Sequence, residues 1–150
     1  MPKMIHSIKI ILTKMKTKAW IISAILITGI ATNAMAKKSL ANNGVMTKQA
    51  DGTYVVNTTT LAKDVKGFKG NTPLNIYIKS GKVVKIEPLA NQESPNFFNK
   101  VKQGLLQKWY GMKANKASTA NIDGVTGATF SSKAVKENVK RGLKYYMAHK

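Results

Sequence analysis

Residues 74–79 alternate between apolar and polar side chains, and residues 82–89 form a second strand candidate in which Val83, Val84 and Ile86 are apolar; only two residues separate the two runs. Alternation with a period of two is typical of a strand that buries one face. The connection is Ser80-Gly81, a pair that favours the tight turn of a β-hairpin. The chain is therefore predicted to contain an antiparallel sheet that packs against a core on one side.

One further strand and two helices are predicted around this hairpin. A β-branched and aromatic run at 53–57 follows a turn at Asp51-Gly52 and predicts a strand. A helix over 96–110 is indicated by a stripe of apolar residues at helical spacing, namely Phe97, Phe98, Val101, Leu105, Leu106 and Trp109. A last helix from about Ser132 has its own stripe, namely Val135, Val139, Leu143 and Tyr146. The fold class is α+β, a small antiparallel sheet packed with two main helices.

The segments between these elements are expected to be irregular. Residues 67–70 predict a bend in which Phe68 is an aromatic anchor. Residues 113–120 are small and polar and predict a loop, and residues 121–123 predict a short strand.

The N-terminal 36 residues have the three parts of a secretory signal. Five lysines and no acidic residue precede residue 19, residues 19–36 carry no charge, and this run ends in Ala34-Met35-Ala36. The order predicts a signal peptide over 1–36, a flexible lead-in over 37–50 and one domain over 51–150. The alternative is an uncleaved anchor at 19–36, since eighteen uncharged residues just span a bilayer. In both cases the domain is expected outside the cytoplasmic membrane, in a periplasm or at the cell surface.

Composition excludes several kinds of site. The chain has no cysteine, and its two histidines, His6 and His149, lie near the termini. Disulfides and thiolate metal sites are therefore excluded, and no histidine general base or other metal centre is predicted in the body of the domain.

The strong positive charge has two implications for partners. Basic residues outnumber acidic ones by 25 to 6, and without the five leader lysines the net charge is still about +14. Arg141 is the only arginine. Because arginine is favoured for bidentate contacts with phosphates and bases, no nucleic-acid partner is predicted. Attraction to an anionic membrane surface remains open.

Residues 123–132 are the segment in which a functional site is predicted. Asp123-Gly124 and Gly127 mark a tight turn, and a helical pattern follows, with Ser131 or Ser132 as the N-cap. A helix N-terminus presents unpaired N–H groups and the positive end of the macrodipole, and both favour a phosphate. On these grounds alone, a capped turn without a ligand is the favoured interpretation.

The same segment resembles the flavinylation motif of the FMN-binding domain family, Asp-x-x-(Ser/Thr)-Gly-Ala-Thr followed by further hydroxyl residues. The matching positions are Asp123, Thr126, Gly127, Ala128 and Thr129. This family includes flavin-carrying subunits of sodium-pumping NADH:quinone reductase and of Rnf-type complexes. The turn Glu93-Ser94-Pro95-Asn96 is similar to a Glu-Thr-Pro-Gly-like turn of the family, with Ser in place of Thr and Asn in place of Gly.

The resemblance implies that FMN is the cofactor, joined through its phosphate to the hydroxyl of Thr129. A separate flavin transferase that uses FAD is the implied partner for this step, and a membrane redox complex or another electron donor and acceptor is the implied partner afterwards. The predicted cofactor-binding residues are Asp123, Thr126, Gly127, Ala128, Thr129, Ser131 and Glu93. The Glu93 turn, with Phe97 beyond it, is expected to form one wall of the flavin site.

For three residues of the segment, two roles are consistent with the sequence. Asp123 either positions the chain during flavin transfer or forms an Asx turn with nearby N–H groups. Thr126 either contacts the cofactor or bonds to the backbone of the turn. Phe130 either covers the flavin ring or fills the junction between sheet and helix, and the second is favoured.

The predicted function is an exported electron-transfer flavoprotein, not an enzyme with its own substrate, because no acid–base catalytic set is visible. The alternative is a module that binds FMN or another anionic ligand noncovalently and takes no part in electron transfer. A flavin reductase that acts on a small substrate needs a catalytic group that the sequence does not display.

Overall fold

The structure, a computed structural model, describes residues 44–150. Four antiparallel strands lie side by side in sequence order: β1 (Met46–Lys48), β2 (Tyr54–Asn57), β3 (Leu74–Lys79) and β4 (Lys82–Pro88). They are followed by α1 (Pro95–Gly104), a 3₁₀ helix (Leu106–Trp109), α2 (Ala114–Thr119) and α3 (Thr129–His149). The predicted α+β class is confirmed. None of the helices within 44–150 is long and apolar enough to span a membrane. The predicted signal peptide or anchor, residues 1–36, lies outside the described residues.

The hairpin of β3 and β4 is confirmed together with its turn. Both turn residues have positive φ, 51° at Ser80 and 76° at Gly81, as a two-residue hairpin turn with the twist of its strands requires. Ile76 lies opposite Ile86, and the register shifts between Tyr77 and Ile78. On β3 the alternation marks the core face, since Leu74, Ile76 and Ile78 are buried. On β4 the buried residues are Val83 and Ile86, which lie three apart because the register shift leaves Val84 without a directly paired residue.

The core lies between one face of the sheet and the helices, with α3 packed over β2 and β3. Gly142 lets α3 approach the sheet closely, because a Cβ at this position would lie only 2.6 Å from Cδ1 of Ile76. The fully buried aliphatic side chains are Val56, Leu74, Ile76, Ile78, Val83, Val101, Leu105, Val135, Val139 and Leu143. Burial of these side chains fixes the position of α3, and therefore of the segment that precedes it.

A buried polar network also fixes α3 on the sheet. The hydroxyl of Thr58 donates to Oδ1 of Asn138 at 2.5 Å and accepts the N–H of Leu74 at 2.9 Å. Asn138 in turn donates to the carbonyl of Ala134 at 3.0 Å. Because each of these buried groups has a partner, the network orients α3 without leaving an unsatisfied polar atom.

Four predicted segments differ in the structure. The lead-in contains β1, which pairs with β2 through Met46–Lys48. The predicted loop at 113–120 contains α2, and residues 121–123 form no strand. The predicted helix over 96–110 ends at Gly104 and continues as a separate 3₁₀ turn. These short elements depend on tertiary contacts, such as the bonds of residues 111–114 to β4, and local sequence patterns do not encode such contacts.

The start of α3 also differs from the prediction. The helix begins at Thr129, not near Ser132, and its N-cap position is Ala128. The hydroxyls of Ser131 and Ser132 do not cap it: Ser131 donates to the carboxylate of Glu93, and Ser132 accepts the N–H of Val125 at 3.0 Å. Both serines therefore attach the helix to other parts of the chain, and the N–H groups of the first helical turn have no side-chain cap.

Candidate functional site

A cavity of about 260 Å³ lies where the 67–70 bend and the turn before α1 meet the start of α3. Thr129 is exposed and is the first residue of α3, at the edge of this cavity. The lining residues are Phe68, Glu93, Ser94, Phe97, Gly127, Ala128, Thr129, Phe130 and Ser131. Five of the seven predicted site residues, all except Asp123 and Thr126, therefore meet at one cavity, and Phe97 lies in its wall as predicted.

Glu93 is buried beneath the cavity and joins its two sides. Its carboxylate accepts the backbone N–H groups of Phe68, Lys69 and Gly70, at 3.2, 2.7 and 3.2 Å, and the hydroxyl of Ser131. Burial raises the pKa of the Glu93 carboxyl, but these four hydrogen bonds outweigh burial and hold the pKa below its usual range. Glu93 is thus ionised at neutral pH.

The loop before α3 has the conformation that its glycines predict. Gly127 has φ of 78°, in the left-handed region that favours glycine. The side chain of Ala128 is buried, and its N–H bonds to the carbonyl of Val125 at 3.0 Å. Gly124 packs against Ser132, where a Cβ would lie 3.1 Å from the serine Cβ. Small residues at these positions let the loop lie against the helix that it leads into.

The N-terminus of α3 presents hydrogen-bond donors beside the Thr129 hydroxyl. The first helical hydrogen bond runs from the N–H of Ser132 to the carbonyl of Ala128 at 2.9 Å. The N–H groups of Thr129, Phe130 and Ser131 consequently have no acceptor within the helix. The Thr129 hydroxyl has no hydrogen-bond partner among residues 44–150, so it is free to react or to bind.

Three aromatic side chains surround the cavity and remain largely exposed. Phe68 is 64% exposed, Phe97 46% and Phe130 63%. The rings of Phe68 and Phe130 lie 6.3 Å apart between centroids and are tilted by 41°. The expectations that Phe68 anchors its bend and that Phe130 fills the sheet–helix junction are therefore wrong, whereas Phe97 lies at the cavity wall as expected. An exposed aromatic cluster of this kind is typical of a binding surface.

Asp123 and Thr126 are exposed and lie outside the cavity lining. Within the described part of the chain, neither side chain makes a hydrogen bond, so the Asx turn and the backbone-bonded Thr126 hydroxyl are both absent. The carbonyl of Asp123, in contrast, accepts the ammonium of Lys108 at 3.3 Å. Both side chains are thus accessible to a second protein.

The segments that form this cavity match a known protein family. The model of the FMN-binding domain matches residues 67–144, which include the 67–70 bend, every residue that lines the cavity and most of α3. The chain belongs to the FMN-binding domain family. FMN is therefore its cofactor. No curated protein and no solved structure gives a significant match.

The cavity of this FMN-binding domain suits part of the cofactor. Its volume of about 260 Å³ lies slightly below the lower end, near 300 Å³, of the usual range for ligand pockets. The exposed aromatic rings fit a flat apolar ring system, and the helix N-terminus fits a phosphate. The sequence does not predict Phe68 at the cavity, and for Phe130 it favours the sheet–helix junction over contact with the flavin ring. The glycines near Phe68, Gly67 and Gly70, could have indicated that its ring is exposed, because they place Phe68 on a bend and not in a helix or strand with a buried face.

Proposed function

We propose that this chain is an exported electron carrier whose FMN is joined by a phosphoester bond to Thr129. The observation that carries the proposal is the free hydroxyl of Thr129, which lies at the cavity edge beside the unpaired N–H groups of α3. Of the described threonines in the FMN-binding motif, only Thr129 lines the cavity. Thr126, three residues earlier, does not.

The attachment step follows from the chemistry of a threonine hydroxyl. The Thr129 oxygen attacks the FMN phosphorus of FAD and a new P–O bond forms; the bond between that phosphorus and the bridging oxygen of the pyrophosphate breaks, and AMP leaves with the bridging oxygen. The hydroxyl proton must pass to a base. Glu93 is the only titratable group that lines the cavity, and its carboxylate already accepts four hydrogen bonds. This supports a separate flavin transferase as the source of the base.

The exposed motif residues supply a surface for that transferase. Asp123 and Thr126 are exposed, lie outside the cavity lining and have no side-chain partner among the described residues, which suits recognition by a second protein. We propose that the transferase recognises Asp123 and Thr126 before it attaches FMN. The chain itself then holds the phosphate at the start of α3 and the ring among the aromatic residues.

Bound FMN supplies one- and two-electron transfer, and the protein binds it and adjusts its potential. The aromatic residues around the cavity are about half to two-thirds exposed, which supports a site that a redox partner can approach. The leader pattern of residues 1–36 supports export. A covalent link has a physical advantage there, because a cofactor that dissociates outside the cytoplasm is lost by dilution.

The test is expression of the full chain together with a flavin transferase, followed by intact-mass measurement and peptide mapping. We expect one FMN phosphoryl group on the peptide that contains Thr129, and the N-terminal peptide reports whether cleavage follows Ala36. Thr129→Val removes the hydroxyl at nearly constant volume and should abolish attachment, whereas Thr60→Val, at an exposed position outside the motif and outside the cavity lining, should retain it. Covalent flavin on Thr129→Val would overturn the proposal. Flavin that acid precipitation removes from the wild-type protein would favour noncovalent binding.

A further inference from the structure

Three lysines from three different elements surround the loop before α3. Lys136 of α3 donates to the carbonyl of Ile122 at 2.9 Å, and Lys108 of the 3₁₀ helix donates to the carbonyl of Asp123 at 3.3 Å. Both ammonium groups therefore have acceptors at the N-terminal end of the loop. The third, Lys100 of α1, lies at the other end, beside Gly127.

Two distances place the Lys100 ammonium near the cavity. Its Nζ lies 5.9 Å from the ring centroid of Phe97, within the range of a cation–π contact. The same atom lies 3.8 Å from the position that a Cβ would take at Gly127. Phe97 and Gly127 both line the cavity, on α1 and on the motif loop respectively. Lys100 Nζ is therefore at the rim, between these two walls.

This cation has no anionic partner among the described residues. The ion pairs of residues 44–150 use Lys79, Lys85, Lys140 and Arg141. Glu93, the acidic residue of the cavity, is occupied by N–H and hydroxyl donors, so it does not neutralise Lys100. A positive charge is thus left uncompensated at the rim of a cavity whose family binds an anionic cofactor.

We infer that Lys100 is the counter-charge of the phosphodiester that joins FMN to Thr129. Consecutive Cα atoms are about 3.8 Å apart, so the Cα of Thr129 lies within about 8 Å of that of Gly127. A lysine side chain carries three donors on a flexible four-carbon stem and can cover the remaining distance. The diester carries one negative charge, which Lys100 neutralises together with the N–H groups of α3. This inference rests on the proposed attachment at Thr129.

The chain offers a matched control on the same helix. Lys102 is exposed like Lys100, but it lines a different recess, with Pro88 and Asn91. Lys100→Gln and Lys102→Gln change the net charge equally and leave the buried residues of α1 unaltered. Lys100→Arg keeps the charge at the rim.

The experiment is ³¹P NMR of the flavinylated full chain, with the visible flavin spectrum recorded on the same samples. We expect Lys100→Gln to move the phosphorus resonance, whereas Lys102→Gln and Lys100→Arg leave it close to the wild-type position. The visible spectrum should stay constant, since the contact is with phosphate. The rise in Tm on flavinylation should also be about 1–5 °C smaller in Lys100→Gln at low salt.

Two results would overturn the inference while the proposed function stands. One is an equal phosphorus shift in Lys100→Gln and Lys102→Gln. The other is a change in the flavin spectrum of Lys100→Gln without a phosphorus shift, which would place the ammonium against the ring. If the wild-type chain carries no phosphodiester signal after expression with the transferase, the proposed attachment itself fails, and the role of Lys100 fails with it.

Discussion

The hydroxyl of Ser131, in the first turn of α3, donates to the buried carboxylate of Glu93, which lies 38 residues earlier in the chain. The same carboxylate holds three N–H groups of the bend that carries Phe68. A single buried charge therefore connects two walls of the candidate cavity, the aromatic bend and the helix that begins at Thr129. Glu93 lines this cavity, as the predicted cofactor-binding role requires, and its hydrogen bonds also hold the two walls together from below.

The first prediction concerns this link. Glu93→Gln places an amide group against N–H donors and removes the charge, so we expect a loss of about 1–3 kcal/mol in the free energy of unfolding. Urea unfolding of the protein without flavin, at pH 7, measures this loss in the free energy of unfolding. Glu87→Gln is the control, because Glu87 is partly exposed, pairs with Lys85 and accepts the Tyr77 hydroxyl at 2.5 Å, and an exposed ion pair contributes only about 0.2–1 kcal/mol. Equal losses in both variants would show that the Glu93 link does not hold the cavity walls.

The second prediction is the pH dependence of that loss. The pKa of Glu93 is lower in the folded chain than in the unfolded chain, so its carboxylate stabilises the fold above the unfolded value, about 4.3, and this contribution disappears as the pH falls through the folded value. The difference in unfolding free energy between wild type and Glu93→Gln should therefore shrink below about pH 4.3. Asp51, whose pKa the N–H of Thr53 and the ammonium of Lys79 lower to about 2, titrates further down in both proteins. A difference that stays constant from pH 7 to pH 3 would contradict the role of the ionised carboxylate.

The sequence was sufficient to predict the parts of the fold that depend on local pattern. The hairpin followed from alternation and its Ser80-Gly81 turn, and the core stripe of α3 followed from helical spacing. β1 and α2 were missed because they depend on contacts with other segments. The start of α3 was misplaced because Ser131 and Ser132, good N-cap residues, bond elsewhere.

The candidate site was predicted in its backbone and motif residues but not in its aromatic walls. The motif located Thr129, and the glycines located the turn before it. For Phe68 and Phe130, packing inside the fold was favoured because large apolar residues usually lie inside. The position of Phe68 depends on how the 67–70 bend is held by Glu93, which is more than twenty residues away in the sequence.

The third prediction concerns the two exposed rings. Because Phe68 and Phe130 are 64% and 63% exposed, replacing both with Ala should change the unfolding free energy of the unmodified chain by less than about 1 kcal/mol. In the flavinylated protein, the same change should weaken the visible circular dichroism of the flavin, because the ring loses its contacts. Val84→Ala, at another exposed apolar position on β4, should leave that signal unchanged. A wild-type signal in the double variant would exclude both rings from the flavin site.

The last prediction tests whether flavin attachment depends on the backbone conformation of the motif loop, apart from the contacts of its side chains. Gly127 has φ of 78°, and a Cβ there would meet only Lys100 Nζ at 3.8 Å, an ordinary contact. The effect of Gly127→Ala is therefore backbone strain of about 1–2 kcal/mol, which the loop can relieve by changing its conformation.

Gly81→Ala is the matched control for this strain. Gly81 has φ of 76° and open space around its Cβ position, in the hairpin turn and outside the cavity lining. Both variants should lose similar amounts of free energy of unfolding in urea. Only Gly127→Ala should also slow flavin attachment, measured as modified mass against time with limiting transferase, because relief of strain there moves Thr129 relative to the N–H groups of α3. Similar attachment rates in the two variants would mean that the transferase accepts Thr129 in more than one loop conformation.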